Sequence, residues 1–361
     1  MGKNIVLKSM NKKNIRTVYI GWDVGGANTK VSIMDPNSSS SYIYQCHLWE
    51  SLNLLKELIR NTQKKYKQHF NIINIITMSG EMSDVFSSRH EGVIKILKLF
   101  KDSVGESYTF SSKKPFFNKL KKTTKAASIQ SMNWLATAMF LETKVTNAIA
   151  IDIGSTTTDI IIIKNGKCKN KNFNDFSRLS TSELIYTGVL RTPVYAITNQ
   201  VTIKKTKYNV IPENFANMSD VYRILSKINP KKNYSATCDH RGKTQKNSLE
   251  RLSRTLGFDY LPQYKDSLRK FSEKLKLIQM DLLTKKILKF KKKYFTKKDS
   301  VSLIGIGIGK FLIKEVCDMN NIHYKDFNLF CKDNKSKLFL PSDIAPAYSI
   351  NILFKSKNER T

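Results

Sequence analysis

Two short stretches hold most of the residues that could do chemistry on a phosphate. Gly21-Trp22-Asp23-Val24-Gly25-Gly26-Ala27-Asn28-Thr29-Lys30 puts a carboxylate at the end of an apolar run and follows it with paired glycines, an amide, a hydroxyl and an ammonium. Glycines let backbone N–H groups approach an anion closely, and a carboxylate beside them can hold a hydrated divalent cation against phosphate oxygens. Alone, such a turn is also what an unliganded hairpin uses, because glycine supplies positive φ. The second stretch changes the balance. Asp152-Ile153-Gly154-Ser155-Thr156-Thr157-Thr158-Asp159 packs hydroxyls and two carboxylates into consecutive positions directly after the apolar run Ala148–Ile151. A turn that only reverses the chain has little use for so many short donors. A third glycine turn, Gly305-Ile306-Gly307-Ile308-Gly309-Lys310, follows Val301–Ile304. Together the three predict a phosphate-binding cleft. Its expected lining is Gly25, Gly26, Asn28, Thr29, Lys30, Gly154, Ser155, Thr156, Thr157 and Thr158, with a carboxylate at each strand end able to hold a hydrated divalent cation.

The elements that must position these residues follow from hydrophobic spacing. Short apolar runs alternate with amphipathic stretches after residue 16, which predicts α/β layers. Thr17–Trp22 and Thr29–Met34 read as a hairpin ended by Asp35-Pro36-Asn37, and Tyr42–Cys46 as a third strand. Helical spacing covers Leu48–Tyr66, Ile72–Met78 reads as a buried strand, and helices are expected over Glu91–Lys101 and Ala126–Leu141. The strand–turn–strand figure then returns over Asn147–Ile151 and Thr158–Ile163, about 130 residues after the first. Such duplication predicts two related lobes facing one cleft. Further helices are expected over Ser248–Leu256, Asp266–Phe290 and Phe311–Met319, separated by a polar loop at Tyr234–Lys246 and a solvated Lys-rich turn at 291–298.

Composition limits the function classes. The 361 residues are 40% hydrophobic, which excludes a disordered chain and leaves ample material for a core. No apolar run approaches the roughly 20 residues needed to cross a bilayer, and the opening residues are Lys/Asn-rich with only Ile5-Val6-Leu7 apolar, so a cytosolic protein is expected. The cysteines Cys46, Cys168, Cys238, Cys317 and Cys331 are scattered without a CxxC pair, which predicts reduced thiols. The net charge is +33, and 51 of the 62 basic residues are Lys, spread through every region. Nucleic-acid surfaces concentrate charge and use Arg forks, so the lysines read as solvated faces and no specific nucleic-acid or membrane partner is expected. A weak polyanion-binding scaffold is the minority reading, with strongly salt-dependent binding as its signature.

The hairpins and the late glycine turn resemble the phosphate-1, phosphate-2 and adenosine motifs of the acetate and sugar kinase, heat-shock cognate and actin superfamily. Within it, DIGSTTTD is similar to the hydantoinase A/oxoprolinase branch. The resemblance extends through GWDVGGANTK, TMSGEMSDVF, NWLATA, ELIYTGVLRTPV, ENFANMSDVYRI, DHRGKT, GIGIGKFL and IAPAYSI, over roughly residues 17–354, to the group linked to tetrahydromethanopterin C1 transfer. Its archaeal members are methanofuran-pathway synthases. The resemblance implies an actin-like ATPase fold, with two ribonuclease-H-like lobes around a central phosphate-binding cleft. Lobes are expected at about 17–145 and 146–354, with a basic extension at 1–16, a helical insertion at about 213–292 and a tail at 355–361.

For activity it implies a transferase that couples an aminomethylfuran-methyl diphosphate to the phenol of a glutamyl-tyramine or tyrosine acceptor, with loss of pyrophosphate. Asp23, Asp152 and Glu81 would be catalytic, Glu81 as the base for the phenol, with Asp84 or Asp239 next in line. Lys30, Lys243 and Arg191 would contact phosphate, and Asn133 and Trp134 would line an aromatic pocket. The alternative is an ATP-dependent hydantoinase/oxoprolinase-like hydrolase or a small-molecule kinase, in which Gly305, Gly307 and Gly309 make room for a nucleoside. The resemblance implies Mg²⁺ as the cofactor, fixed by Asp23, Asp152 or Asp159, and ATP only under that alternative.

Overall fold

A computed structural model describes residues 16–120, 125–203, 205–332 and 334–358. All but Arg16 of the expected basic extension, and the last residues of the expected tail, lie outside the described residues.

In chain order the elements are β1 (Thr17–Val24), β2 (Asn28–Asp35), β3 (Ser38–Gln45), α1 (Leu52–Lys64), β4 (Asn71–Met78), α2 (Arg89–Lys101), β5 (Glu106–Phe110), β6 (Phe117–Lys119) and α3 (Asn133–Glu142). There follow β7 (Ala148–Ile153), β8 (Thr158–Lys164), β9 (Lys167–Cys168), α4 (Asp175–Thr181), β10 (Leu184–Ile185), β11 (Gln200–Ile203), β12 (Thr206–Asn209) and α5 (Met218–Ile224). The remainder is α6 (Gln245–Arg254), α7 (Lys265–Tyr294), β13 (Ser302–Ile306), α8 (Lys310–Asn320), β14 (Tyr324–Asp326) and α9 (Ala345–Asn358).

The first sheet runs β3-β2-β1-β4-β5-β6, and the second runs β10-β8-β7-β13-β14 with β9 paired to β8. In each, a hairpin's first strand is central and antiparallel to its partner, while the next two strands, β4 and β5 or β13 and β14, add parallel on its other side; β6 then closes the first sheet antiparallel to β5. The two sheets repeat one ribonuclease-H-like plan, as the duplicated hairpins predict. The central strands β1 and β7 are buried almost throughout, because helices or the facing layer cover both faces, and this explains their continuous apolar runs. Between β10 and β13 the second lobe carries an insertion that holds α5, α6 and α7.

Each lobe has its own core. The first packs α1 and α2 residues such as Leu55, Ile59, Val93 and Ile96 against β1 and β4. The second packs insertion and α8 residues such as Val221, Leu275 and Leu312 against β7. A third cluster joins them through α3 and α9, with Phe140, Phe327 and Tyr348 in mutual ring contact. The last helix returns to the first lobe: Asn351 Nδ2 donates to the Ser32 carbonyl at 2.7 Å, and α9 lies so close to β1 that a Cβ on Gly21 would sit 2.3 Å from the Ala347 carbonyl. α3 packs beneath β8 and β9 of the second sheet.

Four local expectations are corrected. The helix expected over Ala126–Leu141 is split into a short turn at Ala126–Ser128 and α3, because Ser131 takes a left-handed φ of 51° that a continuous helix cannot contain. The Lys-rich turn at 291–298 begins as the last turn of α7, where lysine ammonium groups face the helix carbonyl end. The tail from 355 continues α9 as far as Asn358. The helix expected over Leu48–Tyr66 is trimmed to begin at Leu52, where the Ser51 hydroxyl caps it by accepting from the Asn53 amide at 3.1 Å.

Candidate active site

The C-terminal ends of β1 and β7 open onto one cleft of about 430 Å³, the place where strand ends of α/β sheets leave polar groups for a ligand. Both turns fold alike. The Gly25 amide donates to the Asn28 carbonyl at 3.0 Å, and the Gly154 amide donates to the Thr157 carbonyl at 2.9 Å. The amides of Gly26, Ala27, Ser155 and Thr156 donate to no acceptor among the described residues. Glycines back each turn. A Cβ on Gly80 would lie 2.8 Å from the Gly25 backbone, and one on Gly188 would lie 2.5 Å from Ser155. Residues 189–191 then bond to the second turn, with the Arg191 amide 2.9 Å from the Ser155 carbonyl.

Hairpin register sets the charges. In the first lobe Asp23 is opposite Lys30; at the same place in the second lobe Asp152 is opposite Asp159. Lys30 Nζ lies 3.5 Å from Asp23 Oδ2. Burial opposes the Lys30 charge, but Asp23, Asp152 and the Tyr234 phenol outweigh it and hold the ammonium above its ordinary pKa. Burial raises Asp23 despite Lys30, and pushes Asp152 up to about 7. Asp159 is also raised, chiefly by burial, against the pull of Arg178 at 2.8 Å. The Arg178 guanidinium in turn lies over the Trp134 ring at 4.2 Å.

The structure brings together Asp23, Gly25, Gly26, Asn28, Lys30, Asn133, Asp152, Gly154, Ser155, Thr156, Thr157, Asp159 and Arg191 along the cleft. Other expected residues lie elsewhere. Thr29 is fully buried in β2, and the Thr158 hydroxyl donates to the Thr187 carbonyl at 2.6 Å. Lys243 donates to the Asn233 carbonyl at 3.0 Å, outside the lining. Trp134 is a buried support for Arg178. Glu81 has no exposure; its Oε1 accepts from Ser131 at 2.8 Å, and burial raises its pKa. Asp239 faces Arg251 at 3.0 Å in the insertion, whereas Asp84 does line the cleft. The late glycines also face protein. Added Cβ atoms would meet the Tyr324 hydroxyl at Gly305, the Ile153 carbonyl and Asp152 at Gly307, and the Ile153 side chain at Gly309.

Sequence reading missed Ser131, Asp175, Arg178, Tyr186 and Tyr234, all in the lining, and Trp49, over which Arg191 sits at 5.1 Å. Arg178 carried a usable signal, the scarcity of arginine that singled out Arg191; the others carried none, because their partners are distant in sequence. Asp175 pairs with Arg89 of the first lobe at 2.6 Å and accepts from Ser131 at 3.2 Å, so it closes one end of the cleft.

For a divalent ion the donor set is carboxylate oxygen. Asp23 Oδ1 is buried with no hydrogen-bond partner, the kind of orphaned acceptor that a cation would satisfy. Among the described residues no three acidic, His or Cys side chains converge on one point, so Asp23, Asp152 and Asp159 do not form a closed cage. That suits Mg²⁺, which takes one or two carboxylates and completes its shell with water and substrate phosphate.

A sequence model of the hydantoinase/oxoprolinase family matches residues 73–328. Among curated relatives, the (4-{4-[2-(gamma-L-glutamylamino)ethyl]phenoxymethyl}furan-2-yl)methanamine synthase of Methanocaldococcus jannaschii is 28% identical over 310 residues, which is 85% of this chain and 91% of the relative. The protein of the same name from Methanococcus vannielii is 33% identical over 212 residues, 58% of this chain and 92% of the relative. Among solved structures, the ethanolamine utilization protein EutJ from Carboxydothermus hydrogenoformans aligns with a TM-score of 0.42 at 13% identity, covering 93% of this chain and 89% of that one. ParM of Bacillus thuringiensis with ADP aligns with a TM-score of 0.43 at 12% identity, covering 95% and 99%.

Proposed function

Because the chain belongs to the hydantoinase/oxoprolinase family and its curated relatives are synthases of an aryl ether, we propose that it is a transferase of methanofuran-type cofactor biosynthesis. It joins an aminomethylfuran-methyl diphosphate to the phenol oxygen of a glutamyl-tyramine or tyrosine acceptor and releases pyrophosphate. The relatives' name describes the product of such a step, a phenoxymethyl group on a furan that also carries a methanamine. The observation that carries the reading is the pair of matching turns, whose unused amides face one cleft with Lys30 between Asp23 and Asp152.

When the furan-methyl carbon parts from the diphosphate, the bonding pair leaves with the oxygen and positive charge builds on carbon. Groups that hold the leaving anion more tightly as its charge grows accelerate the step. The amides of Gly26, Ala27, Ser155 and Thr156, the Lys30 ammonium and Arg191 are placed for that role. Asp23 and Asp152 would hold the ion, with Asp159 kept by Arg178 at their side. When bound, Mg²⁺ would neutralise the diphosphate oxygens and improve the leaving group. Asp84, the cleft carboxylate outside the buried pairs, takes the proton of the attacking phenol, and Asn133 sits where the substrate ring passes.

The test is direct. Purified protein with Mg²⁺, the furan-methyl diphosphate and either acceptor should release pyrophosphate and form the coupled ether, followed by mass spectrometry, with no nucleotide present. A strict requirement for ATP would overturn the transferase.

A further inference from the structure

The chain between α5 and α6 reaches the cleft at Tyr234, and three consecutive residues of it are tied down. Lys232 Nζ is 2.6 Å from Asp343 Oδ2, the Asn233 carbonyl accepts from Lys243 Nζ at 3.0 Å, and the Tyr234 carbonyl accepts from Gln45 Nε2. Gln45 ends β3 in the first lobe, Asp343 precedes α9, and Lys243 lies in the strap itself just before α6. The strap is therefore tied to the first lobe by Gln45, to the segment ahead of α9 by Asp343, and to itself by Lys243. Sequence reading singled out Asp239 and Lys243 in this polar loop but not Tyr234.

Tyr234 lines the cleft together with Asp23, Lys30 and Asp152. Its phenol is in the field of Lys30, Asp343 and Asp152, and makes no hydrogen bond to the described residues. Burial is the main influence on it and pushes its pKa up to about 12, so near neutral pH it is an intact O–H donor and not a base. Its neighbours Asn233 Oδ1 and Ser235 Oγ are buried without partners, so this part of the strap presents polar atoms that the protein itself leaves unused.

We propose that Tyr234 donates a hydrogen bond to the departing diphosphate, and that the ties at Lys232, Asn233 and Tyr234 hold it for that purpose. The inference rests on the transferase reading above. In the step, the furan-methyl carbon–oxygen bond breaks and its electron pair stays on the diphosphate. The acceptor's phenol oxygen forms the new carbon–oxygen bond, and its proton goes to Asp84. Tyr234 keeps its own proton and contributes through a contact that tightens as the anion gains charge. Lys30 is shared with Asp23 and Asp152, so a neutral donor adds to what the ammonium supplies.

Tyr234→Phe removes the donor and keeps the ring. With inorganic pyrophosphate and Mg²⁺ as probe, calorimetry should show a dissociation constant raised about tenfold or more, the loss expected for a hydrogen bond to a charged group. The kcat/KM for the diphosphate donor should fall at least as far, while KM for the phenolic acceptor stays within about twofold and the thermal midpoint is unchanged. Gln45→Ala, which frees the strap and keeps the hydroxyl, should give a smaller loss in the same parameters. Wild-type pyrophosphate affinity and turnover in Tyr234→Phe would overturn the inference and leave the transferase standing. A selective rise in acceptor KM would also overturn it, by placing Tyr234 on the other substrate. Failure of the wild-type protein both to bind pyrophosphate and to form the ether would remove the reading and the inference together.

Discussion

Asp152 is the residue where charge, burial and chemistry meet. Its unfolded carboxyl titrates near the ordinary value, whereas burial places the folded one at about 7, so the folded chain holds an extra proton between these limits. The stability linked to that proton is whole below the unfolded pKa and is lost as pH rises through about 7, amounting to at most about 4 kcal/mol. The ion-free protein should therefore melt at a lower temperature at about pH 8 than at about pH 5, and Asp152→Asn should remove much of that fall while reducing turnover about a hundredfold or more. Melting curves over pH, with a rate assay, check both. A second pair of variants separates two of the three carboxylates expected to serve as base. Glu81 is sealed behind Ser131 with no exposure, so Glu81→Gln keeps the side-chain shape away from the cleft and should leave kcat within severalfold. Asp84 lines the cleft, and Asp84→Asn should lower kcat by about 10²–10⁴.

The strand-to-helix turn between β13 and α8 shows how an element can matter without touching a ligand. Gly307 has a φ of 79°, and a Cβ there would lie 2.4 Å from the Ile153 carbonyl and 2.6 Å from Asp152 Oδ1. Gly307→Ala combines backbone strain with a push on the carboxylate. It should destabilise the fold by about 1–3 kcal/mol, read from urea melts, and lower turnover in an assay that contains no nucleotide. A loss seen only when ATP is supplied would instead assign this turn to a nucleoside. The hairpins themselves were legible from sequence because their signals are local: apolar runs, an Asp at each strand end and a glycine or hydroxyl turn. The break at Ser131 was not. Its φ of 51° is held by contacts with Glu81 and Asp175, which lie far along the chain.

At the scale of the whole molecule, the cleft differs in character from the surface around it. The chain carries +33, yet the lining has Asp23, Asp84, Asp152, Asp159 and Asp175 against Lys30, Arg178 and Arg191. The dispersed lysines make a long-range field that favours anions, while the cleft lining itself holds five carboxylates against three cations. Steering by such a field is screened beyond a Debye length, so kcat/KM for the diphosphate donor should fall severalfold between about 20 and 200 mM salt while kcat holds. A kcat that fell equally would place the salt effect on the cleft's own ion pairs. Across the cleft the lobes touch through Arg89–Asp175, Arg191 over Trp49 and Gln45 to Tyr234, contacts separate from the shared core of α3 and α9.

The sequence by itself determined the two hairpins, the carboxylates at their strand ends and the turns that aim amides at an anion, because strand periodicity and turn chemistry act over a few residues. The duplication of that figure also determined that two lobes face one another. Tertiary structure decided which carboxylates reach solvent: it buried Glu81, tied Asp239 to Arg251 and left Asp84 in the cleft. It also decided that α9 returns to the first sheet, that Arg178 supports Asp159, and that a polar loop carries Tyr234 into the cleft lining. Each of these depends on the burial and charge contributed by residues distant in the chain, and no local pattern encodes which of them will meet.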